Sequence, residues 1–547
     1  MLQSPANRSP GETGRGPPCA PSVARVLHYG SCLDPGVAAK APPLGTVTSS
    51  TSVAEPPPSR GTGPGGGARL AQIRWDRWFL VLGIPFGVLL IVFLKPNLSP
   101  DAPFHFLRID EIAHGHVVSP RDRAGQAIAS PDACAAGVFT SMFSQWLDNS
   151  WHPSDAFHRI PCRARTPIVT SNTALNSPVA YVPAVVGYGA GRALGSSALG
   201  LWLARLAGLA TYLALCWAAI RLSPWGRPVL FLVALLPTSM TLAANLSADP
   251  MAISLGLLAT ALLLRLRVPR VDEVPDRTGR LLVALAACLF LLAASKNLYA
   301  PVALTAFLVP ADRIRTLGRR LAYGAGVVGS IVLASGLWSA LVVDKVRFIL
   351  FWNGADSIRQ KAWIRAHPVG YLRIVAHSLF GTWLLVNHTV PGMAAPAWWH
   401  LQSRAPGVGE STVSLVVTVA MIVGAFLLAC RPRAGTADEG AATGTRLAGR
   451  REELLIWAVL GVILVLVFAL VVYGESVASA ADLRTNPVIN YIEGRYFLPI
   501  LPLLLVPLAA RGRLLDGATS RAWAWALPAS LVVLTGWTVA RFGQLSF

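Results

Sequence analysis

Residues 74–116 read RWDRWFLVLGIPFGVLLIVFLKPNLSPDAPFHFLRIDEIAHGH, and this stretch decides the fold. Trp78 to Leu94 carry no charge; at 1.5 Å per residue they make a helix of roughly 25 Å, close to the hydrocarbon thickness of a bilayer. Arg69, Arg74 and Arg77 precede it, so the positive-inside rule keeps its start cytoplasmic and delivers Lys95 to the outer side. After Pro100, apolar Phe104, Phe106, Leu107, Ile109 and Ile112 alternate with charged neighbours. That is the pattern of an amphipathic helix lying at the membrane surface.

The remainder repeats the theme. Of 547 residues 53% are hydrophobic and 14% charged, against about 25% charged in a soluble domain. Apolar runs of roughly 15 to 22 residues recur to Ala540, enough for helices that span. The formal charge of +20 comes mostly from Arg in short clusters between those runs, which fits cytoplasmic loops better than a nucleic-acid surface. The clusters at 265–280, 311–320, 431–451 and 511–513 are therefore expected inside, and the loops at 95–178, 344–411 and 475–494 outside. Residues 1–77, rich in Pro, Gly, Ser and Thr, are expected to form a disordered cytoplasmic tail. The polytopic domain then runs over 78–541, and 542–547 form a short outer tail.

Parity constrains the middle of the chain. Four apolar stretches, near 179–195, 199–221, 228–245 and 250–264, separate an outer loop from an inner one, so one of them does not cross. Residues 228–245, broken by Pro237 and ended by Asn245, Ser247 and Asp249, are the expected re-entrant segment. The stretch at 179–195, interrupted by Gly187, Gly189 and Gly191, is the rival. Leu281 to Pro310 lie between basic clusters and read as a hairpin with arms of about 15 residues, roughly 22 Å each. Its apex, Ser295-Lys296-Asn297, would stop below the outer surface, and a lysine at membrane depth marks a site or a water-filled cavity. The fold class expected is an all-α integral membrane protein with about eleven crossings, one re-entrant segment and an outer C-terminus.

A helix starting at Asp101 puts Asp101, His105 and Arg108 on one face, at i, i+4 and i+7. A carboxylate beside a histidine and an arginine suits a general base with an anion-stabilising neighbour; the plainer alternative is that Asp101 caps the helix and Arg108 reaches head groups. Asp249 has the same two readings. Arg495 and Tyr496 begin a crossing, either as phosphate binders or as an interfacial pair. Arg205 reads as an anchor near the inner end of its helix, and Trp398 and Trp399 as interfacial aromatics. His114 and His116 invite a metal reading but lack a third ligand nearby in sequence, so a solvated loop is expected, and no metal. Asn97-Leu98-Ser99 is a formal glycosylation sequon followed by Pro100. Cys134 and Cys162 share the first outer loop and are expected to form a disulfide; Cys216, Cys288 and Cys430 read as small apolar residues within helices.

Several motifs together resemble a known family: SPDAPFH at 99–105, NSPVAYVP at 176–183, LARL at 203–206, LLPTSMTLAANLSADP at 235–250, SKNLYAP at 295–301 and EGRYFLPILP at 493–502. Their order is similar to that of the bacterial polytopic family known as domain of unknown function 2142, over roughly residues 80–510. That family in turn resembles the C-type (GT-C) membrane glycosyltransferases, with an acidic residue in the first outer loop and a polyprenyl-phosphate sugar as donor. The resemblance implies Asp101 as catalytic carboxylate, Asp249 as a second acid in one cavity, and Lys296 or Arg495 as phosphate partner, with His105, Arg108, Asn297 and Tyr496 nearby. Ala102 stands where many relatives have a second acid, which argues against a bridging divalent metal. The implied partners are a lipid-linked sugar donor, a cell-envelope glycan or lipid acceptor and the cell membrane. A lipid or glycan transporter and a non-catalytic assembly protein are the alternatives.

Overall fold

A computed structural model describes residues 74–93, 101–148, 162–163, 166–267, 275–314, 316–350, 355–380, 450–478, 494–511 and 525–533, with isolated residues between them. It is almost wholly helical. The first helix, α1 (Trp75–Phe93), leads to α2 (Ala102–Ala113) and α3 (Ala133–Asp148). A two-stranded ribbon, β1 (Ile128–Ala129) with β2 (Ile168–Val169), pairs antiparallel with Ile128 opposite Val169. Then come α4 (Val182–Ala193), α5 (Ser197–Leu222), α6 (Arg227–Leu235), α7 (Pro237–Ala244), α8 (Asp249–Arg267) and α9 (Pro275–Ser295). A 3₁₀ helix (Asn297–Leu308) precedes α10 (Leu317–Trp338), α11 (Ser357–Ala366), α12 (Pro368–Phe380), α13 (Arg450–Ala478) and α14 (Leu501–Arg511). Among the described residues six helices are long and apolar enough to cross a membrane, or seven if the bent pair α6–α7 is one span. The tail before residue 74, most of the stretch 381–449 with Trp398 and Trp399, the sequon at Asn97 and the C-terminal tail lie outside the described residues.

Contacts along α1 fix the direction of its neighbours. A side chain at Gly87 would meet Leu209, and one at Gly83 would meet Leu213 and Leu235, while Trp75 stacks edge-on against Phe231 with ring centroids 5.2 Å apart. Helix α5 thus runs antiparallel to α1, and α6 starts beside the beginning of α1. At the other end of the bent pair, Arg205 Nε donates to the Ala244 carbonyl at 2.8 Å. From Ser223, which accepts from Arg227 Nε, back to the level of Arg205 is 18 residues of α5, about 27 Å. A re-entrant segment returns to the side it left; this one traverses the bundle. The expectation for 228–245 is therefore corrected: Pro237 breaks the span by 55° without turning it back.

The rival stretch takes the non-crossing role. Helix α4 has only 12 residues and packs against the first half of α5, where Gly187 and Gly191 let the backbones touch. A Cβ at Gly187 would lie 2.2 Å from the Leu203 carbonyl oxygen, and one at Gly191 2.3 Å from the Gly200 nitrogen. Small residues four apart are what close helix pairing in a membrane uses. Since α4 does not cross, the direction of α5 is reversed from the sequence expectation, and Arg205 lies toward the Asp249 end of the bundle, fully buried with its guanidinium over Trp202. The anchor role at the inner end falls with the direction.

Two further expectations change. Helix α2 is not amphipathic in its packing: nine of its 12 residues are buried, enclosed by α3, α4 and the turn Ser171–Ala174, with Phe106 edge-on to Tyr188 at 5.4 Å. The first arm of the hairpin, α9, has 21 residues, about 31 Å and not 22 Å, while the second arm is a 3₁₀ helix, whose 12 residues at about 2.0 Å each reach about 24 Å. Arg267 Nη2 donates to the Leu308 carbonyl at 2.7 Å and Arg313 Nε to the Leu266 carbonyl at 2.8 Å. Both ends of the hairpin therefore lie at the basic end of the bundle, opposite Lys296.

Candidate functional site

Five separate segments converge at the other end. Asp101 occupies the position before the first turn of α2, with φ 59° and ψ 14°, and its side chain makes no cap hydrogen bond. It is the one non-glycine residue with positive φ among the described residues, a conformation Asp tolerates better than most but one that disfavours L-residues in general. Freed from capping, the carboxylate lies beside the Asn172 side chain. Water reaches Asp101, yet enough protein surrounds it that burial raises its pKa above the ordinary carboxylate value, with Arg495 and Lys296 pulling the other way.

One turn on, His105 is buried, its Nδ1 sharing a 2.7 Å hydrogen bond with Tyr181 OH. Asn176 Nδ2 donates to the same oxygen at 3.3 Å. Burial first, and then the positive charge of Lys296, push the His105 pKa down to about 3, so the imidazole is neutral at physiological pH.

Asp249 opens α8 and is 2% exposed. Ser247 Oγ donates to its Oδ2 at 3.2 Å, Lys296 forms an ion pair with Oδ1, and Arg495 Nε stands 3.7 Å from Oδ2. The Tyr496 ring lies under both cations, 5.2 Å from Lys296 Nζ and 5.3 Å from the Arg495 guanidinium carbon. Tyr299 OH donates to the Tyr496 carbonyl at 3.1 Å, holding that turn against the 3₁₀ helix. Two cations thus flank the buried Asp249 carboxylate.

The chain belongs to the DUF2142 family. Its match to that family, described as predicted membrane protein, covers residues 84–504. No curated protein and no solved structure matches the chain. The DUF2142 match contains every segment of the cluster, from Asp101 to Tyr496.

Of the residues singled out in the sequence, Asp101, His105, Asp249, Lys296, Arg495 and Tyr496 come together. Arg108 does not join them: it is fully buried, with Nη1 bonded to Glu111 and Ser119 at 3.0 Å and to the His116 carbonyl at 3.1 Å, and Nη2 to the Val117 carbonyl at 2.5 Å. Its guanidinium fixes the turn after α2 instead of reaching head groups. Asn297 turns toward the Ser335 carbonyl and Ser339 Oγ, 3.5 and 3.4 Å away. Asn172, Tyr181 and Ser247 are site neighbours that spacing did not pick out, although Tyr181 and Ser247 lie in the quoted motifs. Cys134 and Cys162 form a disulfide with Cα atoms 4.0 Å apart, while Cys216 and Cys288 are buried free thiols. Among the described residues, one group of three side chains could hold a metal ion, Asp110, His114 and Asp132. It sits at the far end of α2 from Asp101.

Proposed function

We propose that this protein is a membrane glycosyltransferase that moves a sugar from a polyprenyl-phosphate donor to a cell-envelope glycan or lipid on the outer face of the cytoplasmic membrane. The observation that carries the reading is Asp101, held in a left-handed conformation with its carboxylate unused for capping, beside the cations Lys296 and Arg495. Asp101 takes the proton of the acceptor hydroxyl as that oxygen bonds to the anomeric carbon. The bond from that carbon to the phosphate oxygen breaks, its electron pair leaves with the lipid phosphate, and Lys296 and Arg495 neutralise the charge that develops. One direct displacement inverts the anomeric centre. His105, neutral and bonded to Tyr181, holds the first turn of α2 in place instead of supplying charge. The fold is GT-C-like in this reading.

Transfer of labelled sugar by the protein in nanodiscs tests the assignment. Asp101→Asn keeps the shape and tolerates positive φ, so it is expected to lose transfer by about 10²- to 10⁴-fold while still binding the donor. Full activity in that variant removes the catalytic role. The broken span α6–α7 and the cations at its Asp249 end favour a second reading, a lipid or glycan transporter. A transporter would keep its flux in Asp101→Asn and lose it in Lys296→Met.

A further inference from the structure

The distal end of α2 holds a second cluster that the glycosyltransferase reading does not use. A cavity of about 360 Å³ is lined by Asp110, Glu111, His114, His116, Asp132 and Arg192, among others. Within it, one ligand atom each from Asp110, His114 and Asp132 lie within 4.8 Å of one another. We propose that Asp110, His114 and Asp132, backed by Glu111, form a binding site for a divalent transition ion such as Zn²⁺, which takes the place that Arg192 holds.

Three observations support a cation rather than a self-sufficient salt bridge. The first is the state of His114. Its Nδ1 lies 2.7 Å from the Asp110 backbone carbonyl oxygen, which can only accept, so Nδ1 carries the proton and Nε2 keeps its lone pair. A ring nitrogen donating to a carbonyl while the other stays free is the arrangement found behind metal-bound histidines. The second is Glu111. Its side chain is 4% exposed, Oε2 accepts from Arg108 Nη1 and Ser119 Oγ, and Oε1 is buried with no hydrogen-bond partner. An orphaned carboxylate oxygen beside a cavity is costly unless something positive or hydrogen-donating reaches it.

The third is charge. Asp110, Glu111 and Asp132 bring three carboxylates against Arg108 and Arg192, a deficit of one positive charge. Asp110 Oδ1 accepts from Tyr188 OH at 2.7 Å, with His114 Nδ1 at 3.5 Å and Arg192 Nη1 at 3.9 Å. Asp132 Oδ1 accepts from the Cys134 and Ala135 amides at 2.9 and 2.8 Å, while Oδ2 pairs with Arg192. The Arg192 side chain is 31% exposed and can swing to water, where a divalent ion would replace its single charge with two. One imidazole and two carboxylates with room for water suit Zn²⁺ better than Mg²⁺ or Ca²⁺, which prefer all-oxygen shells.

Such an ion would tie the end of α2 to the start of α3, two residues before the disulfide at Cys134, and so hold from behind the helix that presents Asp101. The proposal does not depend on the glycosyltransferase reading. The test is calorimetric titration of Zn²⁺ into the full chain, purified with a tag that contains no histidine and stripped with chelator. One Zn²⁺ per chain is expected, with Kd raised at least tenfold in His114→Ala and in Asp110→Asn and lowered in Arg192→Met. His114 is 42% exposed on its side chain, so its alanine variant should keep the fold even where the buried Asp110→Asn does not. Zn²⁺ should also raise the thermal midpoint of the wild type and leave that of His114→Ala unmoved. A Kd in His114→Ala equal to that of the wild type, no stoichiometric binding by the wild type, or weaker binding in Arg192→Met would each overturn the proposal.

Discussion

The two ends of the helix bundle hold their cations in different ways. At the basic end Arg267, Arg313 and Arg320 donate to the carbonyls of Leu308, Leu266 and Phe307, so each guanidinium closes the C-terminal end of a helical segment, where unpaired carbonyls and the negative end of the helix dipole collect. At the other end Lys296 and Arg495 meet the side chain of Asp249 over the face of Tyr496. Arginines at the basic end close helix C-termini, with Arg267 also paired to the half-buried Glu452 at 3.3 Å, whereas the cations near Asp101 meet a buried carboxylate. Charge alone would not distinguish these two ends; the burial of the acidic partner's side chain does, 3% exposed at Asp249 against 33% at Glu452.

Lys296→Met is the substitution that should separate them most. Removing one partner of a buried ion pair costs about 3–5 kcal/mol, and the low end is expected because Arg495 remains 3.7 Å from Asp249. Chemical denaturation would read the loss, and donor binding should weaken with it. Arg320→Met at the basic end should cost no more than about 1 kcal/mol, as two bonds to a single part-exposed carbonyl are replaced by water. Equal losses in the two variants would erase the contrast.

Gly256→Ala sharpens it from the packing side. A Cβ there would lie 2.3 Å from the Pro499 carbonyl oxygen, so the turn carrying Arg495 and Tyr496 must shift, at a cost of about 1–3 kcal/mol. Phosphate affinity should fall with stability, since the same turn supplies one of the two cations. Retained affinity would show that Arg495 is not part of the binding site.

The smallest effect concerns pH. Burial raises the Asp101 pKa, so the folded state holds a proton there more tightly than the unfolded chain does, and the stability this contributes is lost as pH rises through the raised value. Asp101→Asn should therefore be slightly more stable than the wild type near neutral pH, while the wild-type transfer rate should climb with pH through that same raised value. A variant less stable than the wild type at pH 7 would contradict the raised value.

Much of this contrast was legible in the sequence, and the failures share one cause. The hydrophobic runs gave the membrane class, and the motifs around Asp101, Asp249, Lys296 and Arg495 held the members of the cluster. Parity asked for one non-crossing stretch, and the break at Pro237 outweighed the glycines at 187 and 191, because a proline kink is visible in sequence and a backbone contact across helices is not. That one exchange reversed α5 and misplaced Arg205. The burial of α2 was hidden for a related reason: the residues that cover it, Tyr181, Tyr188 and Asn172, come from segments some 70 residues away. His114 looked isolated because Asp132 joins it only through the fold.

The most direct measurement is a cryo-electron microscopy structure of the protein with a polyprenyl phosphate bound. The account predicts the phosphate between Lys296 and Arg495, with its ester oxygen facing Asp101. Phosphate density at the basic end, against Arg267 and Arg320, with the Asp249 cluster unoccupied, would contradict it.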